Sequence, residues 1–122
     1  MIVAIDIGLK RIGMAVSPDG KIALPTTPIL RINRNQAAKD VSNALKDKKA
    51  KILVVGLQKG GNSEAEMERR IKHFISLLDF DGQIYYENEA YSSLEASDLI
   101  SDKRDGKLDS VAAMIILERF LK

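Results

Sequence analysis

The stretch Ile2-Val3-Ala4-Ile5-Asp6-Ile7-Gly8-Leu9-Lys10-Arg11-Ile12-Gly13-Met14-Ala15-Val16-Ser17 sets the frame for the rest of the chain. Ile2 to Ile7 is a β-rich apolar run. Gly8-Leu9-Lys10 is a short link, and Arg11 to Ser17 alternates, with Ile12, Met14 and Val16 on one face. Two such runs joined by a short glycine-containing link predict a β-hairpin. Pro18-Asp19-Gly20 is a turn signal. Lys21 to Ile32 reads as a third strand, and Pro25 and Pro28 within it suit a sheet edge, where a missing N–H costs no ladder bond. The opening third is therefore expected to be a three-stranded antiparallel meander.

Beyond it the periodicity changes. Ala37, Ala38, Val41, Ala44 and Leu45 recur at helical spacing between Asn35 and Asp47, and Lys48 to Lys51 is a basic link. Ile52 to Val55 is a continuous apolar run of the buried-strand type, which Gly56 is expected to end. Lys59-Gly60-Gly61-Asn62 reads as a flexible loop. Ser63 with Glu66 forms a capping box, and Met67, Ile71, Phe74, Ile75 and Leu78 give the helix it opens a core face. Asp81-Gly82 turns into a strand from Gln83 to about Glu87. Ser92 with Glu95 is a second capping box, for a short helix through Ile100. After a polar loop, Ser101 to Gly106, a last helix runs from about Leu108 to Leu121, apolar nearly all round and so packed on the sheet. The order β-β-β-α-β-α-β-α-α predicts one α/β domain over residues 1–122, a mixed five-stranded sheet with helices on its faces. The ribonuclease H-like fold has this architecture, although a mixed sheet of another topology gives a similar string.

Composition excludes several chemistries. The chain has 122 residues, 45% hydrophobic and 30% charged, a globular profile for a single domain. With no cysteine there is no disulfide scaffold, thiolate zinc site or cysteine nucleophile. The single histidine, His73, excludes multi-histidine metal sites, and beside Phe74 in a periodic stretch it reads as a helix-surface residue. No run approaches the roughly 20 apolar residues of a membrane span. Met1 to Ala4 is too short for a signal sequence, so the expected location is the cytoplasm and no membrane partner is expected. Net charge is only +2, yet residues 1–61 carry +7 and residues 62–122 carry −5.

Asp6 is the first candidate for chemistry, a carboxylate inside an apolar strand, where burial is costly without a partner, hydrogen bonds or a metal. Capping of the hairpin end is the structural alternative. Lys10 and Arg11 follow it closely among glycines, as a metal ligand beside phosphate-binding cations would require. Glu87 and Glu89 would share a side if the strand continues, or else be solvated loop carboxylates. Asp109, in the first turn of the last helix, either caps it or serves as a ligand, and Asp105 lies four residues earlier. Three carboxylates on the ends of three elements, with no histidine or cysteine cluster, form an oxygen-only set suited to Mg²⁺ or Mn²⁺. Such ions activate water and stabilise the leaving oxygen in phosphodiester cleavage.

Ala4-Ile5-Asp6-Ile7-Gly8-Leu9-Lys10-Arg11-Ile12-Gly13-Met14-Ala15-Val16-Ser17 resembles the opening signature of the YqgF/RuvX family, the Holliday-junction-resolvase-like pre-16S rRNA nucleases. Val54-Val55-Gly56-Leu57 followed by Gly60 resembles the family's central strand and loop. Leu108-Asp109-Ser110-Val111-Ala112-Ala113, with Ile116-Leu117 and Phe120-Leu121, resembles its C-terminal helix. The resemblance implies a ribonuclease H-like divalent-metal nuclease. In it Asp6 and Asp109 stand at the first-strand and C-terminal-helix carboxylates. Glu89 stands where the family usually reads Asp-Glu-Arg-Leu-Thr-Thr. Here that stretch is Asn88-Glu89-Ala90-Tyr91-Ser92-Ser93, and Gln58 replaces the proline usual after the central Gly-Leu.

Both lines imply that Asp6, Glu89 and Asp109 hold Mg²⁺ or Mn²⁺, with Glu87 and Asp105 as weaker candidates. Lys10, Arg11, Arg31, Arg34 and Lys59 are the expected contacts to the nucleic-acid backbone, whether precursor rRNA or branched DNA. The lysines from Lys46 to Lys51 either extend that surface or are a solvated helix end. Tyr85, Tyr86 and Tyr91 either stack bases or pack. A resolvase acting on two strands needs a two-fold homodimer; a trimming nuclease does not. Two alternatives stay open. One is a non-catalytic ribosome-assembly factor that binds structured nucleic acid, favoured by the Asn88-Glu89-Ala90 departure. The other is the phosphate-binding half of an actin-like kinase, which 122 residues leave without a second lobe.

Overall fold

The computed structural model describes residues 1–57, 64–88 and 107–122, with only the backbone of Glu64, Asn88 and residues 107–109. The described elements are β1 (Ile2–Ile7), β2 (Arg11–Ser17), β3 (Leu24–Leu30), α1 (Arg34–Asp47), β4 (Ile52–Leu57), α2 (Glu64–Ser76), β5 (Gln83–Asn88) and α3 (Lys107–Leu121). One five-stranded sheet has the order β3-β2-β1-β4-β5. β1–β2 and β2–β3 pair antiparallel, while β1–β4 and β4–β5 pair parallel. The expected meander and mixed sheet are both present, and the proline-bearing β3 is an edge strand. The loop over 59–62, the Ser63 and Ser92 capping boxes and the helix through Ile100 lie outside the described residues.

The hairpin turn depends on close backbone approach. The Gly8 N–H donates to the Arg11 carbonyl at 3.0 Å, and a Cβ on Gly8 would stand 2.6 Å from that oxygen. No other residue fits there without shifting the turn. β3 is shorter than the Lys21–Ile32 expected. At its start, Asp19 Oδ1 accepts the N–H groups of Lys21 and Ile22, so this backbone is spent on an Asx turn. Those donors also hold the Asp19 carboxyl below its usual pKa. Gly56 does not end β4, contrary to expectation. The β1 ladder stops at Val55, but β5 pairs with β4 as far as Leu57, which is buried, so pairing and packing outweigh glycine's poor strand propensity.

α1 begins at Arg34 through a capping box the sequence reading did not use. The Asn33 side chain accepts from Gln36 N–H at 2.8 Å, and Gln36 Oε1 accepts from Asn33 N–H at 3.2 Å. It ends in a Schellman motif: Ala50 N–H donates to Leu45 O and Lys49 N–H to Lys46 O, both at 3.0 Å. Lys49 takes the left-handed position, with φ 53°, where glycine is the usual residue.

The two faces of the sheet differ in side-chain size. One face carries Val3, Ile5, Ile12, Met14, Val16, Leu53, Val55 and Leu57 against α1 and against Ile71, Phe74 and Ile75 of α2. Leu78 joins this core from beyond the helix end, whereas Met67 stays half-buried outside it. The other face carries Ala4, Ala15 and Val54 against Ala113, Ile116 and Leu117 of α3. Val111, Ala112 and Ile115 form a separate buried cluster on the opposite side of α3. The helix is thus apolar on two sides, as its sequence implies, and among the described residues only one of them meets the sheet. Among the described residues no helix is long and apolar enough to cross a membrane.

Two stability predictions follow from this packing. Lys49→Gly removes the left-handed strain, partly offset by glycine's unfolded-state entropy, and should raise the urea-derived unfolding free energy by roughly 0.5–1 kcal/mol. Ala113 is fully buried against the small face. Ala113→Leu should therefore overpack it and lower the unfolding free energy by about 1–3 kcal/mol, measured by the same denaturation.

Candidate functional site

Asp6 sits one residue short of the end of β1, the central strand, and is half-buried. Strand alternation puts Val3 and Ile5 on the α1/α2 face, and Ala4 and Asp6 on the α3 face. Its partner on β2 is Gly13. The β1–β4 ladder runs to Ile5↔Val55, which brings Gly56 level with Asp6 on the other side. Gly56 in turn pairs with Glu87 on β5. A row Gly13–Asp6–Gly56–Glu87 therefore crosses the sheet, with a bare backbone on each side of Asp6. Two strand spacings separate the Asp6 and Glu87 backbones, about 10 Å. Glu87 shares the α3 face, as Tyr85 two residues earlier shows: its ring lies 5.1 Å from that of Phe120 on α3.

The small residues on this face let α3 lie close. Ser110, 1% exposed, accepts a hydrogen bond on Oγ from the Met14 N–H at 3.5 Å. Met14 pairs with Ile5, so the first turn of α3 lies over the hairpin beside Asp6. Asp109 belongs to that turn. Its side chain lies outside the described residues, as do Glu89, Asp105 and Lys59 altogether. Ser110 was given no role in the sequence reading, and its signal was a lone hydroxyl at the head of an apolar run.

Asp6 and Glu87 offer oxygen donors only, the set that suits Mg²⁺ or Mn²⁺. Among the described residues no three acidic or histidine side chains converge to hold a metal.

The cations separate into two groups. Lys10 and Arg11 are exposed on the hairpin turn beside Asp6. Arg31 follows β3 at the same sheet edge: its N–H donates to Lys10 O at 2.8 Å, and Nη1 donates to Gly8 O at 3.0 Å. Its guanidinium also lies 5.7 Å from the Phe74 ring centroid, so part of Arg31 serves to tie the hairpin to α2. Arg34 is exposed at the start of α1. The Lys46–Lys51 group belongs instead to the far edge, where Lys51 N–H donates to Met1 O at 3.0 Å. There Lys46 pairs with Asp79 at 2.5 Å, and that hydrogen bond raises the lysine's pKa. A solvated helix end is the reading that fits this group. Tyr85 touches Phe120 and Tyr86 lies beneath Lys72 Nζ at 5.4 Å, yet both stay exposed, while Tyr91 lies outside the described residues.

With this geometry in place, the comparisons with known proteins are specific. The chain is 55% identical over 122 residues to the "Putative pre-16S rRNA nuclease" of Sulfurovum sp. (strain NBC37-1), covering 97% of this chain and 95% of that one. It is 52% identical over 120 residues to the protein of the same name from Campylobacter jejuni subsp. doylei, covering 96% and 93%. Among solved structures, T. thermophilus RuvC in complex with a Holliday junction substrate aligns with TM-score 0.62 at 12% identity, over 99% of this chain and 94% of that one. The fowlpox virus Holliday junction resolvase aligns with TM-score 0.53 at 15% identity, over 98% and 97%. At such identities the likeness is one of fold, the ribonuclease H-like sheet of the resolvases. Residues 1–122 match in full the family described as "RuvX: Holliday junction resolvase", and the chain belongs to that family.

Proposed function

We propose that the protein is a divalent-metal nuclease that hydrolyses phosphodiester bonds in structured nucleic acid, with 5′-end processing of pre-16S rRNA as its first role and Holliday-junction DNA as the other substrate class. The observation that carries this reading is Asp6: a half-buried carboxylate between two glycine backbones, on the face overlain by the first turn of α3. The names of the relatives support the rRNA role.

In this reading Asp6, Glu89 and Asp109 hold Mg²⁺ or Mn²⁺, with Glu87 within reach of the same face. When bound, the ion supplies an activated water and offsets charge on the leaving oxygen. The chain's own residues do the rest. Lys10 and Arg11 at the hairpin tip draw the scissile backbone to the strand ends, with Arg31, Arg34 and Lys59 as further contacts. Gly13 and Gly56 leave room for a phosphate to approach Asp6 without meeting a side chain.

A second reading keeps the fold and drops the chemistry: an assembly factor that binds structured nucleic acid without cutting it. Asn88 and Ala90, flanking Glu89 in place of the family's aspartate and arginine, favour it, because the lost guanidinium would have clamped a phosphate or oriented the glutamate.

The two readings separate in one assay. The chain and its Asp6→Asn variant, purified in parallel and matched by melting temperature, are incubated with labelled branched DNA and precursor rRNA, with Mg²⁺ or Mn²⁺ and with EDTA. The nuclease reading expects metal-dependent cleavage that falls roughly 10²–10³-fold in Asp6→Asn, the loss of a few kcal/mol of transition-state stabilisation. Tight binding in EDTA with no Asp6-dependent cleavage of either substrate would establish the second reading instead.

A further inference from the structure

Four guanidinium groups line one cavity on the face away from Asp6. Arg31, Arg34, Arg69 and Arg70, with His73 and Phe74, surround a volume of about 530 Å³ between the β3–α1 corner and α2. A neighbouring cavity of about 430 Å³ shares Arg34 and His73 with it and continues past Asn33 and Asn35. Together they form a trough from α2 to the start of α1. Among the described residues no carboxylate lines either cavity.

The two α2 acids with described side chains are already engaged. Glu66 pairs with Arg70 at 2.6 Å and Glu68 with Lys72 at 3.0 Å, both one helical turn apart on α2. Arg31 is held by Gly8 O and by the Phe74 ring. Arg34 and Arg69 are exposed and have no ion-pair partner among the described residues. Like charges around one cavity repel unless an anion enters it. Arginine forks match phosphate oxygens bidentately, which makes phosphate the anion that suits them.

The trough is also tied to the carboxylate site. The oxygen that Arg31 grips belongs to Gly8, two residues beyond Asp6, so the trough opens at the sheet edge where β1 ends just past Asp6. Asp6 faces α3 and the trough faces α1 and α2, and among the described residues the exposed tip Leu9-Lys10-Arg11 stands at the edge they share.

We propose that this trough is a second backbone-binding site, where Arg34 and Arg69 grip phosphates of a nucleic-acid segment that crosses the hairpin tip from the Asp6 face. The inference rests on the nucleic-acid reading above but not on cleavage. It selects substrates long or branched enough to reach both faces.

The test is equilibrium binding in EDTA, to branched DNA and to precursor rRNA, from 50 to 200 mM salt. It compares the parent chain with Arg34→Gln/Arg69→Gln, with Arg34→Lys/Arg69→Lys, and with Lys21→Gln/Lys122→Gln as a control of equal charge change elsewhere. Each lost phosphate contact lowers the salt slope by about 0.7–0.9. The affinity lost in the glutamine pair should therefore be about tenfold greater at 50 mM than at 200 mM salt. The lysine pair should recover most of it, and the control should lose none. Both arginines are exposed, so unchanged melting temperatures are expected. An unchanged affinity and slope in the glutamine pair would overturn the proposal. So would a glutamine pair that keeps nucleic-acid affinity but loses a melting-temperature rise caused by inorganic phosphate, which would mark a free-phosphate site. A chain that cuts nothing but shows the slope change sinks the nuclease reading alone; an active nuclease with an unchanged slope sinks the trough alone.

Discussion

The difference in side-chain size between the two faces of β1 and β2 governs the rest of the molecule. On one face isoleucine, valine and methionine hold α1 and α2 at a distance that fills with a thick core. On the other, Ala4, Gly13 and Ala15 leave almost no side chain, and α3 comes down until the Ser110 hydroxyl meets a backbone N–H of β2. Dense packing does not tolerate a gap, so small residues on a sheet oblige the covering helix to approach. Asp6 ends the small-residue face. The same alternation that sends Ile5 into the thick core sends Asp6 beneath the helix that carries Asp109.

Strand direction adds the second condition. β1, β3, β4 and β5 all run the same way, with only β2 reversed, so their C-terminal ends lie along one edge. Open α/β sheets gather their ligands outside the C-terminal ends of parallel strands, where loops can diverge. Here that edge collects Asp6, Glu87, the hairpin cations and Arg31. The opposite edge collects the Lys46–Lys51 group, whose charge is spent on Asp79 and solvent.

Most of the fold is legible in the sequence because its signals are local. Period-2 alternation in Ile12, Met14 and Val16, the helical spacing of Ala37, Ala38, Val41 and Leu45, and prolines at 25 and 28 each report an environment the structure then supplies. The misreadings trace to hydrogen-bond pairings, some distant in sequence and some local, that hydrophobic periodicity does not report. Gly56 stays in β4 because β5 pairs with it, through Glu87. The left-handed Lys49 follows from the Schellman closure onto Leu45 and Lys46. The Asn33–Gln36 cap was local, but it was hidden by the longer strand expected to run to Ile32. The site divides the same way. Asp6 stands out as a carboxylate in an apolar run, whereas the glycines beside it, Gly13 and Gly56, acquire meaning only from register. His73 reads as a plain surface histidine until folding brings Arg31 and Arg34 to it.

The charge split along the chain, +7 and −5, puts the excess of cations in one half and the excess of carboxylates in the other. Folding does not respect that division. α2 lies in the acidic half, yet it turns Arg69, Arg70 and His73 toward the cations at the start of α1, and Glu66 and Glu68 pair within the helix. Asp6, the carboxylate best placed for chemistry, comes from the basic half. The separation that matters is between the two faces of the sheet: a carboxylate face under α3 and a guanidinium face between α1 and α2, joined at the hairpin tip. A nucleic acid bound only by the first would be held at the point of reaction but weakly, and one bound only by the second would be held firmly but away from it. Because the two open at one edge, a segment that bends around Leu9-Lys10-Arg11 meets both, and such a bend is easiest at a junction or an unpaired strand.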